Sequence, residues 1–245
     1  MNRTLMNKAL SILLVGLLAA CSESVVVVDD TPVEALQAGG TVSLLHKAGA
    51  NFSSPDDPAW RDAQEYSMDL DLAPPVHASI NLRHDPGAPA TPVKIRAASD
   101  GKSLYLRLRW DDSTQNITTS RDEFADGVAV QFALEGGDTT SYMMGAPSAP
   151  VNIWYWKAGS DGAQNLAAGG FGSTTQLEPG QLTVNSTYKE SGEWVVVFSR
   201  PLSQEGDHQA DLNSDSVLIA LALWQGDKRQ RDGLKHVSPG WITLK

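Results

Sequence analysis

Cysteine is nearly absent: Cys21 is the single one in 245 residues. One thiol makes no internal disulfide, thiolate zinc site or cysteine-held iron–sulfur cluster, so any metal must be held by other atoms. The five histidines (His46, His77, His84, His208, His236) are scattered without metal-ligand spacing. A Gly-rich phosphate loop, a nucleophile elbow and an HExxH pair are also missing, and nothing in the chain assembles a catalytic apparatus. Asp211, Asn213 and Asp215 imitate the opening of a calcium loop, but Ser216 stands where Gly is needed and Ala222 where Glu is needed. Basic residues are scarce, with 19 Lys and Arg against 29 Asp and Glu and a formal charge of −10. Such a surface argues against nucleic acid or anionic lipid as the partner.

The apolar run at the N-terminus, Ala9 to Ala20, is too short to span a bilayer comfortably. Arg3 and Lys8 precede it and Leu18-Ala19-Ala20-Cys21 closes it, a pattern that resembles a bacterial lipobox. The expectation is a signal peptide over residues 1–20, lipid on Cys21, a tether over 21–37 and one domain over 38–245. Within the tether, Val25 to Val28 reads either as linker or as a strand. Ser22 resembles the second residue of lipoproteins sorted to the outer membrane, so a periplasmic, lipid-anchored protein is expected.

What the chain does have is period-two alternation. Val93–Ala97 and Leu104–Trp110 alternate apolar with basic residues across a Ser99–Lys102 turn, as a strand with one buried face requires. Thr41–His46, Ser67–Leu72, Ala78–Leu82, Val128–Leu134, Val151–Trp156, Gln181–Tyr188 and Trp194–Phe198 are further candidates. Val217–Trp224 is apolar on both faces, as in the middle of a sandwich. Asp57 and Pro58 predict a short helix reaching about Glu65. Ala163–Thr175, rich in Gly, Ala and Ser, reads as a long irregular loop. The fold class is all-β, a two-sheet antiparallel β-sandwich with short helices and long loops.

Asp138 to Ala158 gathers Met143, Met144, a Gly-Ala-Pro turn, Trp154 and Trp156, soft sulfur and large flat rings that read as one wall of a haem pocket. Its counterpart is Arg231 to Leu244. Met143 and Met144 point to opposite faces if extended. Trp154 and Trp156 share one strand face, facing either pocket or core. Lys94, Arg96, Arg107 and Arg109 form a basic strand face, either solvated or meeting haem propionates or an acidic partner.

The blocks VKIRAASDGKSLYLRLRWDDST, DEFADGVAVQFAL, MMGAPSAPVNIWYWKA and LALWQGDKRQRDGLKHVSPGWITL, in that order, resemble the haem-binding gamma subunit of ethylbenzene dehydrogenase and its relatives in dimethylsulfide dehydrogenase, selenate reductase and chlorate reductase. The likeness covers most of Pro92 to Leu244. It implies haem b at one end of a β-sandwich, with iron held by Met144 and Lys235. Met143 and His236 are the rival ligands, and Asn152, Trp154 and Trp156 stand near the cofactor. With both axial positions filled, the implied task is electron transfer between a molybdenum catalytic subunit, by way of an iron–sulfur subunit, and a periplasmic c-type cytochrome or similar carrier. The competing expectation is a carbohydrate-binding lipoprotein without haem, stacking sugars on Trp154, Trp156 and Trp194.

Overall fold

The computed structural model describes residues 31–245. The expected signal peptide, the lipidation of Cys21 and the Val25–Val28 run lie outside the described residues. In chain order come β1 (Val33–Ala35), β2 (Thr41–Val42), β3 (Leu44–His46), a 3-10 helix (Pro58–Asp62), β4 (Glu65–Leu72), α1 (Ala78–Asn81), β5 (Thr91–Ser99) and β6 (Ser103–Asp111). There follow β7 (Gly127–Ala133), β8 (Val151–Lys157), β9 (Gln164–Ala168), β10 (Thr175–Gln176), β11 (Thr183–Lys189), β12 (Glu193–Pro201), β13 (Val217–Trp224), β14 (His236–Val237) and β15 (Ile242–Leu244). Among the described residues no helix is long and apolar enough to cross a membrane.

The strands make a two-layer sandwich. One layer runs β4-β5-β6-β12-β11 and the other β10-β9-β8-β7-β13. β14 pairs with both β13 and β4, so the layers are continuous along one edge. The principal ladders are antiparallel; only the short β1, β2 and β3 pair in parallel, with β4, β15 and β5. The core lies between the layers, where Leu106, Leu108, Trp110, Val196 and Phe198 of the first meet Val128, Val130, Phe132, Trp154 and Trp156 of the second. Trp156 packs edge-on to Trp194 at 5.0 Å between ring centres.

Several expectations are corrected. Ala78–Leu82 is not a strand: His77 caps a single helical turn by accepting from the Ser79 amide at 3.2 Å, and five residues are too few for periodicity to decide. The Asp57-capped helix forms, but as a 3-10 turn ending at Asp62. Ala163–Thr175 contains β9, a regular strand on β8. Val33–Ala35 pairs with Glu65–Ser67 and Leu36 is buried, so these residues of the expected tether are packed into the domain. The three arginines of the basic face are turned to protein partners rather than to open solvent, while Lys94 is half-buried. Arg96 and Arg109 bond the buried Glu65 at 3.1 and 2.8 Å, and Arg107 donates to Pro55 O at 2.9 Å, all beneath the segment that carries the 3-10 helix.

Candidate functional site

Strand parity decides which residues face which space. On β8, Asn152, Trp154 and Trp156 point inward, whereas Ile153, Tyr155 and Lys157 point out of the sandwich. The same outer face carries Ala129 and Gln131 on β7, Leu166 on β9, and Ala220, Ala222 and Trp224 on β13. Ala129 and Ala222 are cross-strand partners, and their small side chains leave a hollow in the sheet surface. Loops raise walls around it, with Val76, Ile80, Phe124, Tyr142 and Phe171 among the lining residues. The result is a cavity of about 840 Å³, ample for an organic cofactor.

Met144 reaches the cavity from a strained turn. Met144 and Gly145 both sit in the left-handed region, at φ 68° and 69°, and for a non-glycine residue that costs roughly 1–3 kcal/mol. The surroundings impose it: the Gly145 amide donates to Ser141 O at 2.9 Å, and the Gly170 amide donates to Met144 O at 2.8 Å. Gln131 Nε2 donates to Tyr142 O, and Trp241 Nε1 to Thr140 O, each at 2.9 Å, so the sheet itself holds the loop. A Cβ on Gly145 would meet Ala149 O at 2.8 Å, which is why the turn needs glycine there. Because the segment is not extended, Met143 also lines the cavity.

Lys235 approaches from the opposite end of the chain. Its Nζ lies 3.7 Å from Met144 Sδ and 5.0 Å from the centre of the Trp224 ring. The backbone is fixed by the Ala73 amide donating to Lys235 O at 2.8 Å and by the Trp224 indole donating to Asp232 O at 3.1 Å. Burial pulls the amine down to about 8, against an opposing pull from Asp232. Such an amine is close to losing its proton near neutrality and so to becoming a metal donor. At 3.7 Å the two atoms touch, closer than the roughly 4.3 Å that one nitrogen and one sulfur bond to a metal span end to end, so they would have to separate slightly to share an ion.

His236 faces away. Its Nε2 donates to Pro89 O at 3.2 Å, which leaves Nδ1 to accept from Gln230 Nε2 at 3.0 Å. Both ring nitrogens are therefore engaged, and the residue does not line the cavity. Trp154, Trp156 and Asn152 are likewise core residues. Asn152 bonds Asn165 Oδ1 at 2.8 Å, and Trp154 lies 4.4 Å from Phe132 between ring centres. Trp154, Trp156 and Trp194 are 0%, 3% and 4% exposed and offer no face to a sugar. The aromatic residues that do line the cavity include Tyr155 and Trp224, packed edge-on at 5.2 Å. Alternation along β8 and β13 carried that signal, because the residues next to the core-facing ones must face outward.

Fold and cavity together define a β-sandwich that leaves its core intact and presents a thioether and a buried amine over an apolar hollow on one outer face. The chain belongs to the ethylbenzene dehydrogenase family, whose profile matches residues 57–185. It is 43% identical over 199 residues to the dimethylsulfide dehydrogenase subunit gamma of Rhodovulum sulfidophilum, covering 79% of this chain and 75% of that one. The chlorate reductase subunit gamma of Ideonella dechloratans is 32% identical over 249 residues, with 100% of each chain covered. A protein of Haloferax mediterranei assigned as the heme subunit of a respiratory nitrate reductase is 33% identical over 148 residues, 60% of this chain and 53% of that one. Among solved structures, a family 9 carbohydrate-binding module from Caldicellulosiruptor kristjanssonii in complex with glucose aligns at TM-score 0.49 and 12% identity, over 84% of this chain and 95% of that one.

Proposed function

We propose that this chain is a haem-binding electron-transfer subunit, in which Met144 and Lys235 would hold the iron of a single haem b. The observation that carries the reading is the pairing of Met144 Sδ with Lys235 Nζ at 3.7 Å inside an aromatic-walled cavity. A bound haem supplies one-electron chemistry, and a thioether ligand favours its ferrous state. The chain's own contribution is to bury the amine and lower its pKa towards neutrality, to aim the sulfur from a strained turn, and to exclude water with Phe124, Tyr155 and Trp224. Two protein donors would leave a substrate no place on the iron, so the chain would relay electrons and leave substrate chemistry to a partner. The gamma-subunit relatives support a place beside a molybdenum catalytic subunit and an iron–sulfur subunit, passing electrons to or from a periplasmic c-type cytochrome or similar carrier. The lipobox-like stretch ending at Cys21 supports attachment to a bacterial membrane facing the periplasm, with the outer membrane favoured by Ser22.

The test is an absorption spectrum of protein expressed with ample haem, oxidised and dithionite-reduced, followed by pyridine extraction of the pigment. A low-spin b-type spectrum is expected. Met144→Ala and Lys235→Ala should each keep the fold but give weak or five-coordinate haem. A colourless wild-type protein, or variants with unchanged ferric and ferrous spectra, would refute the assignment.

A further inference from the structure

The cavity is positively biased although the chain is strongly acidic. Apart from Lys235, which the haem reading makes a neutral ligand, Lys157 and Arg231 line it, and among the described residues Asp232 is the one carboxylate that does. Arg231 is already engaged, with its Nε 3.5 Å from Asp232 and its guanidinium 4.8 Å from the centre of the Phe124 ring. Lys157 is different. It ends β8 one outward position beyond Tyr155, it is half-buried, and among the described residues its ammonium meets no carboxylate. Among the described lysines only Lys47, with Asp62 at 2.8 Å, and Lys189, with Asp56 at 3.3 Å, form carboxylate pairs, and neither lines the cavity; what sets Lys157 apart is its place on the cavity rim. A cation left without a partner beside an apolar hollow is placed to meet an anionic group of whatever fills that hollow.

Register fixes where Lys157 lies. It pairs with Gly127, and Gly127 pairs with Trp224, whose indole is bonded to the backbone of Asp232. Lys157, Trp224 and the Arg231–Asp232 turn therefore share one end of the sheet. The Met144 loop is held farther along the strands, through Gln131 opposite Ile153. Haem b carries its two carboxylates on a single edge. From this juxtaposition, and resting on the haem reading above, we infer that Lys157 is the counter-ion of the haem carboxylates and sets which way round the cofactor enters. The basic strand face of the other layer cannot do this, because Arg96, Arg107 and Arg109 are spent on Glu65 and the Pro55 carbonyl.

The experiment compares uptake of haem with uptake of its dimethyl ester, which lacks the two charges, using apoprotein and an apoglobin acceptor to read dissociation. Wild-type protein should hold haem about tenfold more tightly than the ester, equivalent to about 1.4 kcal/mol. Lys157→Gln should bring the two within about threefold while leaving the low-spin spectrum unchanged, and Lys157→Arg should restore the preference. The inference is overturned if wild-type protein treats the two alike, or if Lys157→Gln keeps the full preference. Wild-type protein that takes up neither compound overturns the haem reading together with this one, whereas haem uptake indifferent to Lys157 overturns this one alone. Lys157→Arg and the wild-type comparison decide the matter even if Lys157→Gln folds poorly.

Discussion

At the scale of single residues, two buried carboxylates act in opposite directions on stability. Asp126 accepts from the Asn116 and Gly226 amides at 2.8 Å and from the Trp194 indole at 2.9 Å, bonds that offset part of the burial that raises its own carboxyl and make it a better home for negative charge than Asp112. Its neighbour Asp112 has a buried Oδ2 without a partner. Burial, with Asp126 and Asp227 close by, pushes the Asp112 carboxyl up to about 6. The unfolded chain therefore loses this proton first, and stability should fall as pH rises from about 4 to about 6. Asp112→Asn should flatten that fall, as read from urea midpoints across the range. Glu65 behaves the other way. Its own burial opposes ionisation, but Arg109, Arg96 and Arg107 outweigh it and hold the pKa below the ordinary value. The stability it contributes is present above the unfolded carboxylate pKa and is lost as pH falls through the depressed one. Glu65→Gln leaves three guanidinium groups short of a buried partner and should cost about 3–5 kcal/mol in chemical denaturation. Motif position singles out Met144 and Lys235, and the fold brings these two side chains together; the positive φ of Met144 was not legible, because it follows from the bonds of the turn to Ser141 and Gly170.

At the scale of elements, the long strands were legible because each hides one face, and alternation records that directly. β5, β6, β7, β8, β12 and β13 all fall where the pattern puts them, within a few residues. What alternation does not record is which of two apolar faces meets the core. On β8 both faces are apolar, and the larger tryptophans took the core while Ile153 and Tyr155 took the cavity. Short elements such as α1 and β14 are set by neighbours rather than by period, so their identity was not readable. The hollow depends on small residues of β7 and β13. Ala222→Phe should fill it, and a variant with unchanged far-ultraviolet circular dichroism but at least tenfold weaker haem uptake is the expected outcome. Normal uptake would place the cofactor elsewhere.

At the scale of the whole molecule, the inter-layer core is complete without the cavity. Phe132, Trp154, Trp156, Trp194 and Phe198 belong to one packed cluster and do not line the cavity. The apoprotein should therefore keep its β-sandwich, with haem adding stability by mass action, about 2.7 kcal/mol at a hundredfold excess over Kd. Thermal melts with and without haem would check this: a cooperative apoprotein transition that moves upward with haem is expected, and an unfolded apoprotein would show that the core is not self-sufficient.

The outward placement of the cavity has one more consequence. Met144 comes from a loop, Lys235 from the approach to a two-residue strand, and the floor from side chains on the skin of the sheet. Inheritance can rewrite all three while the tryptophan-packed interior stays as it is. Donors, hollow and rim charge are then free to diverge among descendants of one scaffold, each lineage tuning its cofactor without relearning how to fold.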